Sequence, residues 1–485
     1  MSSNGLMMQC FEWCLPSNHD LWKNLSQEAS KLKKLGVTSF WVPPAYKGVA
    51  GDQDVGYGVY DLYDLGEFQQ KESIPTKYGT KKEYIDMIQS VQAQGIDVYA
   101  DIVLNQKLGA DEVEYIQADE FNATSRNQMV GDNKTICGWT KYQFPGRKKK
   151  YSDFTWNWTH FEGIDWDENL TRDAIKCFVG KNWEDIVDNE KEKYDYLMGM
   201  HIDLDHPEVK DELYRWGKWY LKMTGVNGVR LDDVKHIGYY FFKDWLPAMR
   251  EATGKELFSV GEYWHYDVSH LERYLEHANY EMSLFDVPLH MHLHDASKCP
   301  GQYNMATILN DTLVSRHPMH AVTFVDNHET QPGQILQSWV EDWFKPHAYA
   351  ITLLRKDGYP CVFYGDYYGI AHDKIAAKKT MLNKMMKIRK RLAYGEQHEY
   401  FDDYHVVGWT REGDEKHKNS GLAVLMSNST GGSKRMYIGK GFAGKFFKDA
   451  LGNAKYNIKI DDDGYGEFYV NREVVSVWIC EDVKL

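Results

Sequence analysis

Three short runs end in acids whose types and spacing suit the breaking of a bond between sugars. They are Gly228-Val229-Arg230-Leu231-Asp232-Asp233, Gly261-Glu262-Tyr263-Trp264 and Phe324-Val325-Asp326-Asn327-His328-Glu329. Cleavage of a glycosidic bond takes two carboxyl groups in different protonation states, one a nucleophile and the other a proton donor to the leaving oxygen. Side chains alternate along an extended chain, so Arg230 and Asp232 share one face, while Leu231 and Asp233 take the other, away from a pocket. A cation two residues from a carboxylate favours the ionised form, which suits Asp232 as nucleophile. Glu262 lies between a glycine and two aromatics, a partly dry setting that favours a neutral, proton-donating carboxyl. One such acid alone is most often a solvated loop residue. Three of them, flanked by Arg230, His236 and His328, point to a site.

These acids need a frame that brings distant segments to one rim. Eight short apolar runs, residues 6–13, 39–43, 97–105, 228–234, 257–263, 282–287, 321–327 and 361–365, alternate with segments apolar at three- and four-residue spacing, such as 21–35, 82–94, 208–223, 239–252 and 343–355. Eight β–α units predict a (β/α)8 TIM barrel of the α/β class, whose strands bury their length and present chemistry at their C-terminal ends. One spacing breaks the rhythm. Asn105 and Asp232 are 127 residues apart, whereas Asp232 and Glu262 are 30 apart. A βαβ unit takes about 30 residues, so roughly 95 are inserted after the third strand. That insertion is rich in aromatics and poor in helical periodicity, which predicts a β-rich subdomain on the catalytic face. After a helical pattern over 378–394 come short alternating runs separated by Gly, Asn and Asp turns, the pattern of an antiparallel β-sandwich. The expected domains are a barrel over 1–105 and 206–394, a subdomain over 106–205, and a sandwich over 395–485.

Composition narrows the partners. With 71 acidic against 57 basic residues the net charge is −14, which repels phosphate backbones and argues against nucleic acid or an anionic membrane as partner. The basic cluster Arg147-Lys148-Lys149-Lys150 is expected to be a solvated loop. No apolar run is long enough to span a bilayer. Aromatics reach 14%, and flat amphipathic rings suit the apolar faces of sugars as well as cores. Seven scattered cysteines form no facing CxxC pairs, and the N-terminus shows no basic or apolar leader pattern, so a reduced, cytoplasmic protein is expected. No P-loop or dinucleotide fingerprint stands after a strand, so no organic cofactor is expected.

With these motifs in view, the whole chain resembles the α-amylases of glycoside hydrolase family 13, in their liquefying and intracellular bacterial branch. The likeness rests on Asp101-Ile102-Val103-Leu104-Asn105, Gly228-Val229-Arg230-Leu231-Asp232, Glu262-Tyr263-Trp264 and Phe324-Val325-Asp326-Asn327-His328. Val55-Gly56-Tyr57-Gly58, Phe144-Pro145-Gly146-Arg147 and Trp343-Phe344-Lys345-Pro346 add to it. The resemblance implies retaining endo-hydrolysis of α-1,4-glucans such as starch, glycogen or maltodextrins. By that resemblance Asp232 is the nucleophile and Glu262 the acid/base, with Arg230 orienting Asp232. His328 binds the sugar at the scissile position, Tyr57 stacks beneath it, and Lys235 and His236 meet the leaving-group side. An α-glucan transferase or a non-catalytic glucan-binding protein on the same scaffold are the alternatives.

Three departures from the family pattern matter. The third carboxylate is Glu329 where the family has Asp, and Gln106 stands where it usually has His. Both fall where the sugar ring is distorted, so slower catalysis or an altered product pattern is expected. The resemblance also implies Ca2+ at the junction of insertion and barrel, held by Asn105, Asp195 and the backbone carbonyl of His236. A further Asp ligand common in the family is here His201, and nitrogen weakens a calcium site. Asp203 and Asp205 either substitute for it or cap the following helix.

Overall fold

The computed structural model describes residues 4–485, so Met1–Ser3, which enter the reading of the N-terminus, lie outside it. Eight parallel strands close into a barrel: β1 (Met7–Gln9), β2 (Ser39–Val42), β3 (Asp97–Ile102), β4 (Gly228–Leu231), β5 (Phe258–Gly261), β6 (Ser283–Phe285), β7 (Ala321–Phe324) and β8 (Tyr359–Phe363). They run round the barrel in chain order, each hydrogen-bonded to its predecessor and successor, with β8 closing on β1. The strands are short and buried almost throughout, as continuous apolar runs covered on both faces must be. Amphipathic helices return the chain between most strands. Lys81–Ala93 starts from a Thr80–Glu83 capping box, and Leu21–Leu35 ends at Gly36 in the left-handed conformation (φ 113°).

One register decides the geometry of the rim. Leu231 pairs with Gly261 across β4 and β5, so the next residues, Asp232 and Glu262, leave neighbouring strands side by side. Their backbone amides continue the ladder for one more step, Asp232 N–H to Ile102 O and Glu262 N–H to Leu231 O, both at 2.9 Å.

The insertion is a six-stranded antiparallel sheet in the order Gln106–Lys107, Met200–Ile202, Phe161–Asp167, Arg172–Phe178, Glu112–Phe121, Met129–Lys141. No α-helix interrupts it among the described residues. It begins four residues beyond the end of β3, so the barrel rim and the subdomain share one stretch of backbone. The C-terminal region packs a six-stranded sheet beside the two-stranded pair Gly432–Tyr437 and Tyr465–Val470. Its first strand, Gln397–Tyr400, carries no apolar alternation and left no mark in the sequence pattern.

Two expectations need correction. Arg147 is no solvated loop residue: it is buried, with Nε 2.9 Å from the buried Asp61 carboxylate, and only Lys148, Lys149 and Lys150 are exposed. Asp233 does not simply follow strand alternation, because β4 ends at Leu231 and Asp233 itself is left-handed (φ 44°, ψ 42°). The turn redirects its carboxyl into the electrostatic reach of Glu262 and Glu329.

Candidate active site

Arg230 organises the rim. Its guanidinium is buried and donates to Asp101 Oδ1 (2.8 Å) and Asp232 Oδ1 through one terminal nitrogen and to Glu262 Oε2 through the other. Asp101 in turn accepts from Trp41 Nε1 (3.0 Å) and the Tyr57 hydroxyl (2.9 Å), so it is a bracing group whose oxygens are occupied. The second oxygen of Glu262 is buried and without a hydrogen-bond partner, open to a ligand on the rim side.

A single guanidinium cannot offset the acids gathered here. Burial, then the neighbouring Asp233 carboxylate, push the Asp232 carboxyl well above the usual range, against the pull of Arg230. This reverses the expectation that Arg230 alone would hold Asp232 low, because the cation is shared among three carboxylates. Burial and then the Glu262 charge push Glu329 upward. Asp233 is raised for the same two reasons, burial first. Like charges so close in a dry site resist ionising together, so one carboxyl can keep a proton while its neighbour is ionised.

The sugar-facing wall is aromatic. Tyr57 and His328 are stacked (ring centroids 5.2 Å apart, 12° between planes), and Trp13 stacks on both. His328 is fully buried, and burial followed by the Arg230 charge keeps its imidazole neutral. Its Nδ1 accepts from Gln9 Nε2 (3.0 Å), which leaves Nε2 bearing the hydrogen and unpartnered. Gln106 Nε2 donates to the Tyr57 carbonyl (3.3 Å), and its Oε1 is likewise buried and unpartnered.

On the opposite side Lys235 Nζ bonds to Glu190 and to the Trp264 carbonyl (3.1 Å), and His236 Nδ1 donates to the Tyr194 carbonyl (2.6 Å). Burial lowers His236 to about 3, so this imidazole is neutral. Asp232, Glu262, Glu329, Arg230, Tyr57, Gln106 and His328 therefore cluster at one rim, whereas Lys235 and His236 reach it through the loop over 183–199. The sequence reading missed Trp13, Glu190 and Asp188, the last accepting from Tyr263 and bonded to His270 (2.8 Å). For Trp13 a signal existed, since it lies just beyond the C-terminal end of β1, where a barrel presents functional side chains.

Of the residues expected to hold calcium, Asn105 is buried with both amide atoms unpartnered, which leaves room for a ligand there. Asp195 is committed: Oδ2 accepts from Glu184 N–H (2.8 Å), and Oδ1 lies 3.2 Å from His201 Nε2. Asp203 accepts from the backbone amides of Asp205 and His206 and pairs with Lys181, so it closes the turn that leads into helix Pro207–Thr224, whose N-cap His206 makes no side-chain cap bond. Glu162, Asp195 and His201 form a group that could hold a metal ion, but with a nitrogen at its centre the set does not fit calcium, which takes 6–8 oxygens.

Comparison with known proteins places this architecture. The family profile described as "Alpha amylase, catalytic domain" matches residues 16–403, and "Alpha-amylase C-terminal" matches 422–479. The chain is 52% identical to an α-amylase of Geobacillus stearothermophilus, over 98% of this chain and 87% of that one. It is 40% identical to the cytoplasmic α-amylase of Escherichia coli K12, over 99% of both. Among solved structures, an Anoxybacillus α-amylase superposes with a TM-score of 0.66 at 16% identity, covering 98% of this chain and 97% of that one, a likeness of fold. With matched barrel, matched C-terminal domain and near-complete coverage, this chain belongs to the α-amylase family of glycoside hydrolases.

Proposed function

We propose that this chain hydrolyses internal α-1,4-glucosidic bonds of starch, glycogen or maltodextrins with retention of anomeric configuration, and that it works in the cytoplasm. The observation that carries this reading is the pairing of Leu231 with Gly261, which sets Asp232 and Glu262 side by side on one guanidinium. Two carboxyls bound to the two terminal nitrogens of one guanidinium support the close, ~5–5.5 Å placement of retaining enzymes rather than the ~6.5–9.5 Å gap of inverting ones.

In this mechanism Asp232 attacks the anomeric carbon while Glu262 gives its proton to the departing oxygen. The C1–O bond to the leaving chain breaks as the C1–O bond to Asp232 forms. Water, deprotonated by Glu262, then displaces Asp232 and returns the proton. The neutral His328, with Nε2–H free, donates to a sugar hydroxyl without adding charge, and the Trp13–Tyr57 stack supplies an apolar face beneath the ring. Lys235 and His236 line the side toward the leaving chain. Glu329, in electrostatic reach of Glu262, contacts the ring hydroxyls. A cytoplasmic setting is supported by the Escherichia coli relative and by seven free cysteines. Among the described residues no helix is long and apolar enough to cross a membrane.

The test is digestion of soluble starch and of maltoheptaose followed by proton NMR. Rapid fall in starch chain length with α-anomeric new ends is expected. First-formed β-anomers would refute retention, and disproportionation of maltoheptaose without new reducing ends would replace hydrolysis with transfer.

A further inference from the structure

The group at the base of the insertion answers a question that the catalytic rim does not raise. Glu162 on strand Phe161–Asp167, His201 on strand Met200–Ile202 and Asp195 in the loop between strands Arg172–Phe178 and Met200–Ile202 meet in one buried place. His201 Nε2 stands 3.2 Å from Asp195 Oδ1 and 3.5 Å from Glu162 Oε2, within ion-pair reach of both carboxyls. A cation joining those oxygens would have to take this ring nitrogen as a further ligand, and calcium takes oxygen. We infer that His201 takes the place of a metal ion at this junction, so that the insertion is fastened by a carboxylate–imidazole–carboxylate bridge and not by calcium.

Three further features fit. His201 is fixed in position by pairing with Gln106 on one side and Gly163 on the other, with Trp183 and Tyr196 rings about it. Gly163 admits nothing larger: a Cβ there would lie 2.2 Å from Lys176 O and 2.4 Å from the Trp183 ring. The donor set also disfavours calcium, because a hard cation would gain a nitrogen ligand in place of an oxygen. The bridge matters because the loop carrying Asp195 also carries Tyr194, whose carbonyl holds His236 at the rim. Loop closure and rim geometry are thus joined without an exchangeable ion.

The experiment uses the full-length chain, purified without added metal. Elemental analysis by mass spectrometry should find well under one calcium, zinc or manganese per chain. EGTA should move the melting temperature by less than about 1 °C, because a ligand that is absent adds nothing to stability. His201→Asp, which supplies an oxygen in place of the nitrogen, should acquire calcium dependence, its melting temperature rising by roughly 3 °C or more on adding millimolar Ca2+. Stoichiometric metal in the wild-type chain, or a wild-type melting temperature that falls in EGTA and recovers with Ca2+, overturns the inference. Should His201→Asp fail to fold, the wild-type metal content and EGTA response still decide it. If His201→Asp folds but ignores calcium, the imidazole does not stand in a metal's place, and the inference falls.

Discussion

Two buried charge clusters, one around Lys345 and one around Arg230, are built on opposite plans. Around Lys345, next to β7, two carboxylates face one ammonium, all three fully buried. Every acid is served: Asp326 accepts from Thr330 (2.6 Å) and Val340 N–H (3.2 Å), and Asp366 from Tyr349 (2.7 Å). Burial lifts Asp326 to about 7 against the pull of Lys345, so one proton and one cation leave the cluster close to neutral. Around Arg230 the same currency does not balance. One cation meets Asp101, Asp232 and Glu262 directly, with Asp233 and Glu329 close behind, and several polar atoms have no partner. The first plan holds a fold together. The second carries the unsatisfied buried groups and perturbed acids that mark a candidate binding rim.

That contrast can be broken most sharply by removing one charge from each cluster. Asp232→Asn should lower kcat on soluble starch about 10⁴-fold while leaving the melting temperature unchanged or higher, since a surplus carboxyl has gone. A folded variant with near wild-type turnover would remove Asp232 from the chemistry. Lys345→Met should do the reverse and destabilise by about 3–5 kcal/mol, read as a lower urea midpoint, because two buried acids lose the cation they share. Glu329→Asp should raise kcat by up to about 10-fold, since a small misplacement of a group at the reacting sugar is costly. No gain would mean that Glu329 is already well placed. Asp233→Ala should shift the pH–rate profile toward acid by about one unit, because removing a negative neighbour lowers the carboxyls it now raises. The smallest effect belongs to Asp326. Its native carboxyl keeps a proton that the unfolded chain has released, so stability is greatest below about pH 4 and declines as pH rises through about 7. Asp326→Asn should remove a slope of about 1 kcal/mol per pH unit across that window in urea titrations.

The sequence made most of this legible, for physical reasons. Barrel strands buried on both faces are continuous apolar runs, so all eight declared themselves, and the 127-residue gap after Asn105 exposed the insertion. Asp232, Glu262 and His328 were legible because barrel topology brings strand ends together whatever their distance in the chain. What escaped was anything set by three-dimensional charge. That Arg230 is shared could not be read from a two-residue spacing, nor could the left-handed turn that swings Asp233 around. Arg147 looked solvated beside three lysines, and only the position of Asp61 across the fold reveals a buried pair. Trp13 and Glu190 depend on which loops meet over the rim, which local pattern does not encode.

Gln106 belongs to two structures at once, since it pairs with His201 in the inserted sheet and holds the backbone carbonyl of Tyr57. Tyr57, the platform proposed to lie under the substrate, is therefore coupled to the tilt of the whole appendage like a key to its lever. Any rocking of that appendage, by heat, crowding or a long polymer pressing on it, is transmitted to the stacking ring within one side chain. Grip on extended glucans, seen in KM rather than in melting, becomes the most sensitive gauge of how firmly the appendage is seated.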